Sequence, residues 1–396
     1  MTMKRQTRES RRSIVRNAWK AAVGLSIGVL STVAVAADPI RIGLVTTSTG
    51  PGSYLGGAEE QTIKLMAETI NKQGGVLGRR IELVHYDDGT NADRARTLMQ
   101  RLVTEDRVSL VIGSSTTPST LSMADVATRG KVPLISMAGA KVLTEPLRPW
   151  LFVIPENDVM ALGVMFDHLA RHKLTNVALL SSTSGFGRAA REVALELSSK
   201  RGDVKVVADE TYAAGDTDMS AQLTRIRGNA QVQAVINLDF GNQPAIVTRN
   251  HAALGIKAPL YLSHSTAAPK YPELAGPASE GARLAVPSLM VVEQLPDSAP
   301  EKAKALEFRN LYQASYKELP HGFHGYGYDA LLVAVDAIKR AGSVDRQALR
   351  DAIEKTAGLA GVTGEYNYSP TNHGGYVPQS KLRMAEIRNG KFVLID

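Results

Sequence analysis

The stretch V-S-L-V-I-G-S-S-T-T-P, residues 108–118, decides the fold. Its first half is a short β-branched apolar run, the pattern of a strand buried on both faces. Thr117-Pro118 then sets a hydroxyl residue and a proline where a helix begins. Between the two lie Gly113, Ser114, Ser115 and Thr116. A strand that runs through a hydroxyl-rich loop into a helix is half of a βαβ unit, and parallel sheets are assembled from such units.

The same rhythm extends in both directions. Residues 41–46 and 81–86 read as strands, and the segment 57–73 sets Ile63, Met66 and Ile70 on one helical face before stopping at Gly74-Gly75. A second helix carries Ala95, Leu98, Met99 and Leu102, and residues 132–136 read as a fourth strand. After a Pro-containing pause at 145–155 the alternation restarts, with strands at 176–181, 204–207, 232–238 and 259–262 and helices between them. A second pause at 283–300 precedes three helices without strands of their own (301–317, 329–340 and 345–356), then strand-like 364–368 and 384–395. The expected fold class is α/β, one arrangement used twice. The late helices are expected to return to the first lobe, so that the chain crosses between lobes three times. The expected boundaries are 38–157 plus 286–364 for the first lobe and 158–285 plus 365–396 for the second.

A chain of 396 residues exceeds one ordinary core, and 44% apolar with 21% charged residues describes a soluble globular protein. The net charge of +7 carries no nucleic-acid signal: residues 1–37 hold seven basic residues against one acidic, leaving +1 for the remainder. That leader has a basic segment, an apolar run at 21–30 and the small residues Ala34-Val35-Ala36-Ala37, the pattern of an export signal cleaved near Ala36. Ser10-Arg11-Arg12-Ser13-Ile14-Val15-Arg16 also approaches the twin-arginine pattern. A periplasmic location is therefore expected. The absence of cysteine excludes disulfide scaffolds, thiolate metal sites and cysteine nucleophiles.

In open parallel sheets ligands bind beyond the carboxyl ends of the strands. The loops there are residues 48–54, ending at Tyr54, then Ser114–Thr117, and then Met137, Ala138, Gly139 and Ala140. Free N–H groups and hydroxyls at a helix start can hold a carboxylate without a full positive charge; they can equally do no more than cap the helix. The corresponding places in the second half carry Phe186, Asp239, Phe240 and His264, each of which also has an ordinary structural reading. No G-x-x-x-x-G-K-[ST], H-E-x-x-H or G-x-S-x-G motif is present. His321 and His324 are spaced by a glycine-flanked loop with no partner cluster, so no metal and no cofactor are expected.

Several of these segments together resemble a family. I-R-I-G-L-x(5)-G-P (40–51), G-G-V-L-G-R-R-I-E-L-V-x-x-D-D (74–88), V-x-x-V-I-G-S-S-T-T-P (108–118), V-P-L-I-S (132–136) and Y-D-A-L-L-V-A (328–334) are similar, in order, to the branched-chain amino acid (Leu/Ile/Val-binding-like) periplasmic substrate-binding proteins of ABC transporters. The resemblance implies two Rossmann-like lobes of the type I periplasmic binding fold, joined by three hinge crossings, closing on a ligand and docking onto membrane subunits. Carried over by position, Tyr54, Ser114, Ser115, Ala138 and Ala140 fall in first-lobe ligand loops and Phe186, Asp239 and His264 in second-lobe ones. Amino-acid binders of this kind usually have a hydroxyl where Ala140 stands and an acid near the position of His264. The S-S-T-T-P loop at 114–118, the loop from Met137 to Ala140 and the I-P-E-N-D-V-M-A run at 154–161 also resemble a subgroup associated with aromatic acids. The expected ligand is a small organic acid or amino acid, and the expected state is a monomer without nucleic-acid partners or catalysis. Two rivals stand beside it: a periplasmic hydrolase or lyase using Asp239 and His264 as an acid–base pair, and a sensory subunit sharing the binding fold.

Overall fold

The computed structural model describes residues 38–299, 301–375 and 382–395, and the expected export signal lies outside them. The first part of the chain alternates β1 (Ile40–Thr46), α1 (Ser53–Lys72), β2 (Ile81–Asp87), α2 (Ala92–Thr104), β3 (Leu110–Gly113), α3 (Thr117–Gly130), β4 (Leu134–Ser136) and β5 (Leu151–Val153). These strands form a parallel five-stranded sheet in the order β2-β1-β3-β4-β5. All four residues of β3 are buried, as a continuous apolar run between two helical layers requires. The strand order reverses between β1 and β3, which sets the loops after these strands on the two sides of a crevice.

The second part comprises α4 (Asp158–Arg171), β6 (Asn176–Ser182), α5 (Gly185–Arg201), β7 (Lys205–Tyr212), α6 (Ser220–Gly228), β8 (Ala234–Leu238), α7 (Gln243–Ala253), β9 (Leu260–Leu262), α8 (Lys270–Ala275) and β10 (Arg283–Pro287). There follow α9 (Lys302–Tyr316), α10 (Gly322–Ala341), α11 (Arg346–Glu354), the small hairpin β11 (Leu359–Ala360) and β12 (Glu365–Tyr366), then β13 (Leu382–Arg388) and β14 (Lys391–Leu394). The second sheet has seven strands in the order β14-β13-β10-β9-β8-β6-β7. It is parallel except at β13, which runs antiparallel to both β10 and β14. The architecture is thus two α/β lobes. The chain passes from the first sheet to the second after β5, returns with α10 to the first, and ends in the second as β13 and β14.

Helices α10 and α11 bury Ala330, Leu331, Ala334, Ile338, Leu349 and Ile353 in the same cluster as Ile40, Ile42, Leu44 and Ile112, which makes them part of the first lobe. Helix α9 differs from the expectation. Its stripe Ala305, Phe308 and Tyr312 packs with Leu289, Val292 and Leu295 and with the second sheet. The apolar residues just before it offer the nearest matching surface, so it docks locally and the first lobe resumes only at α10. Tyr366 and Tyr368, expected in the second lobe, also lie in the first-lobe cluster. Two segments read as pauses contain the short strands β5 and β10, and 384–395 is a hairpin turning at Asn389-Gly390 with φ of 50° and 69°. Trp150, in the pause at 145–155, sits at the start of β5 within a first-lobe cluster, under the Arg350 guanidinium at 5.5 Å.

Arg346, at the start of α11, holds three elements together. Its guanidinium donates to the Val103, Val108 and Gly130 carbonyls at 2.9 to 3.3 Å, satisfying acceptors at the ends of α2 and α3.

Candidate functional site

The loops at the carboxyl ends of both sheets enclose a cavity of about 50 Å³. The first lobe contributes Leu55, Ser115, Thr116, Thr117, Pro118, Met137, Ala138, Gly139 and Pro155, and α10 adds Phe323 and Tyr326. From the second lobe come Phe186, Phe240, His264 and Ser265. Of the residues singled out from sequence, Ser115, Thr116, Ala138, Gly139, Phe186, Phe240 and His264 therefore meet at one place. Tyr54, Ser114, Ala140 and Asp239 do not line it.

Each of those four has another task. Ser114 is fully buried and donates its hydroxyl to Asp88 at 2.6 Å, a carboxylate that also accepts from the Thr47 hydroxyl and the Thr90 N–H. Ala140 is buried beside the short 3₁₀ turn Lys141–Leu143. Asp239 accepts from the Ser182 hydroxyl at 2.6 Å and from the Tyr212 hydroxyl at 2.9 Å, while its backbone carbonyl accepts from Ser263 and Ser265. Its contacts tie β6, β7 and the loop after β9 together, and no hydrogen bond joins it to His264 among the described residues. The acid–base pair of the hydrolase reading is not assembled. Tyr54 bridges the lobes: its hydroxyl donates to the Ser265 carbonyl at 3.1 Å and accepts from the Gly241 N–H at 3.1 Å.

The polar wall of the cavity is the entry to α3. Gly113 has φ +136°, and a β-carbon there would lie 2.1 Å from the Val45 carbonyl oxygen, so only glycine lets β3 turn so close to β1. Ser115 then accepts the Thr47 N–H at 3.1 Å and donates to the buried Glu59 of α1. Thr116 is the N-cap with no side-chain capping bond, and proline stands in the first turn. Thr116 and Thr117 line the cavity at this open start of α3, where the first-turn N–H groups have no helical acceptor. Burial pushes Glu59 well above the usual carboxylate range, partly countered by the Ser115 hydroxyl and reinforced by Asp88. Gly139 serves the protein itself: a β-carbon there would stand 2.3 Å from the Glu156 carbonyl oxygen.

The other walls are aromatic. Phe186 packs edge-on to Phe240 at 6.1 Å and to His264 at 5.8 Å, and Phe323 packs edge-on to Tyr326 at 5.6 Å. None of the described lining residues is Asp, Glu, Lys or Arg. Burial lowers His264 to about 4, so its imidazole is neutral at pH 7. Just behind the lining, Tyr326 donates to Glu156 at 2.7 Å; burial raises that acid to about 7, and its second oxygen has no hydrogen-bond partner. Sequence reading missed Phe323, and of the two tyrosines in 325–328, one of which it turned toward the cleft, Tyr326 lines the chamber. It placed the helix at 329 rather than at Gly322, because three glycines in 322–327 masked the first turn. His324 there accepts the His321 N–H at 3.0 Å and shares a hydrogen bond with the Tyr312 hydroxyl, and no cluster able to hold a metal occurs among the described residues.

A family model described as periplasmic binding protein matches residues 39–391. The leucine-, isoleucine-, valine-, threonine- and alanine-binding protein of Pseudomonas aeruginosa is 27% identical over 333 residues, 83% of this chain and 86% of its own. Among solved structures, an extracellular ligand-binding receptor from Rhodopseudomonas palustris superposes with a TM-score of 0.82 at 27% identity, covering 90% of this chain and 99% of that one. The branched-chain amino acid transporter substrate binding protein of Streptococcus pneumoniae, in complex with isoleucine, gives 0.79 at 26% identity, covering 89% and 97%. These neighbours are solute-binding proteins rather than enzymes. With two α/β lobes, three passages between them and a chamber at the facing strand ends, the chain belongs to the periplasmic binding protein family.

Proposed function

We propose that this protein is the exported solute-capturing component of an ABC importer, holding a small apolar carboxylate between its lobes and releasing it unchanged to membrane subunits. One observation carries the reading: the lining combines the open start of α3, with Thr116 and Thr117, and a ring of aromatic side chains, without an ionised group. A carboxylate fits the α3 end through N–H groups and hydroxyls. Phe186, Phe240, Phe323 and Tyr326 then clasp the apolar body, and His264 faces its far side.

An α-ammonium finds no carboxylate in this lining. It would forgo a charge-assisted hydrogen bond of about 1.5–3 kcal/mol. The chemistry therefore favours an aromatic or keto acid. The amino-acid reading has its own support in the free oxygen of Glu156, adjoining Tyr326, and in what the relatives are named for binding. Calorimetry with benzoate, phenylacetate, 2-oxo-4-methylpentanoate, leucine and isoleucine separates the two. Micromolar or tighter binding of an ammonium-free acid, with leucine at least tenfold weaker, is expected. Leucine binding alone would transfer the assignment to the amino-acid class, and no binding at all would remove the carboxylate reading.

A further inference from the structure

Behind the main chamber lies a second, smaller one of about 10 Å³ within the second lobe. Phe186 and His264 line both, so these two side chains form the partition between them. Most of the inner wall is apolar, from Ala161, Leu162, Met165, Ala190 and Leu238. Asp158 also lines it, and this acid is 1% exposed. Its Oδ1 accepts the Lys141 N–H at 2.6 Å, whereas Oδ2 is buried with no hydrogen-bond partner. A buried carboxylate oxygen left unpaired costs folding free energy, and such groups call for a specific explanation.

We infer that this inner chamber is a subsite for a single hydrogen-bond donor, a hydroxyl or amino group, at the far end of the carboxylate ligand, with Asp158 as its acceptor. The inference rests on the carboxylate reading above and narrows it. The size is the first argument: about 10 Å³ is room for one water-sized group and excludes a second ring or a branched chain. Position is the second. Phe186 and His264 line both chambers, so a ligand in the main chamber abuts the partition and needs only a short group to pass it. Chemistry is the third, since Oδ2 can only accept while ionised, and the walls around it supply no other polar group than His264 and Ser263. The Ser263 hydroxyl is already committed to the Asp239 carbonyl and Ser265.

The test uses matched pairs on the whole exported chain: benzoate with 4-hydroxybenzoate, and phenylacetate with 4-hydroxyphenylacetate, by calorimetry. A hydroxyl that reaches a buried carboxylate should improve binding of at least one pair by about tenfold or more. Asp158→Ala should reduce that ratio to near one while leaving the unsubstituted acid within about threefold. Because Asp158 also holds the Lys141 N–H, a second variant guards against misfolding. Ala190→Val fills the inner chamber from its α5 wall, behind the Phe186–His264 partition, and should lose the hydroxylated probe selectively. If both members of each pair bind equally to the unaltered protein, or Asp158→Ala keeps the preference, the subsite is overturned while the carboxylate reading stands. If no member of either pair binds while 2-oxo-4-methylpentanoate does, the subsite falls and the carboxylate reading stands; if none of these acids binds, both fall together.

Discussion

At the scale of single residues, the molecule concentrates buried acids around its seam: Glu59, Glu156, Asp158 and Asp239 are all almost inaccessible. Their partners divide them. Asp239 is surrounded by hydroxyls that fix the second lobe, while Glu59, Glu156 and Asp158 each keep one oxygen unpaired. Glu156 makes the consequence measurable. Burial raises it from an ordinary 4.5 to about 7, so between those values the folded chain holds a proton that the unfolded chain has released. Its contribution is fully present below about pH 4.5 and is lost as pH rises through about 7. Glu156→Gln removes the titration, so the variant should gain stability relative to the unaltered protein on going from pH 5 to pH 8, by on the order of 2–3 kcal/mol. Denaturant melts at the two pH values check this, and equal pH slopes in the two proteins would contradict it.

At the scale of elements, the repeated strand–loop–helix units were legible because their signals are local. The run from Val108 to Pro118 contains its own strand, turn and helix start, and the chamber wall at Ser115 and Thr116 followed from it. What escaped were features decided by distant partners. Strands β5 and β10 are short and become strands only because a neighbouring edge pairs with them. Ser114 and Ala140 share the loops of the lining residues, and periodicity cannot say which side chain in a loop faces inward. Asp239 stood at the right strand end, but its hydroxyl partners come from β6 and β7 and are not visible in its own segment. Arg346 is another distant link, joining α11 to the ends of α2 and α3. Arg346→Ala leaves these carbonyls without their donor and should destabilise the first lobe by about 2 kcal/mol. Hydrogen exchange should show the loss in α2, α3 and α11 and not in the second sheet; uniform loss would refute the local assignment.

At the scale of the whole molecule, the lobes meet through a few specific contacts across the chamber. The Tyr54 hydroxyl links α1 to the loops carrying Gly241 and Ser265, and Lys141 reaches Glu196 of α5 at 2.9 Å. The ion pair is partly exposed and contributes little. The tyrosine bridge is half-buried and made only when the lobes are together, so its energy enters the closing equilibrium. Tyr54→Phe should weaken ligand binding by about five- to tenfold, chiefly through faster release, with thermal stability nearly unchanged. Stopped-flow release and small-angle scattering test this; unaltered release would assign Tyr54 to packing alone, through its edge contact with Phe323 at 5.8 Å. Trp150 packs among first-lobe residues at the end of β5 away from the first passage, which makes its fluorescence a poor reporter of closure.

The interleaving of the chain also sets a timetable for synthesis. The first sheet awaits α10 and α11, and the second awaits β13, which pairs with β10 across about a hundred intervening residues. A nascent chain leaving the ribosome therefore completes neither half until its last few dozen residues emerge, and the two halves mature almost together rather than one after the other.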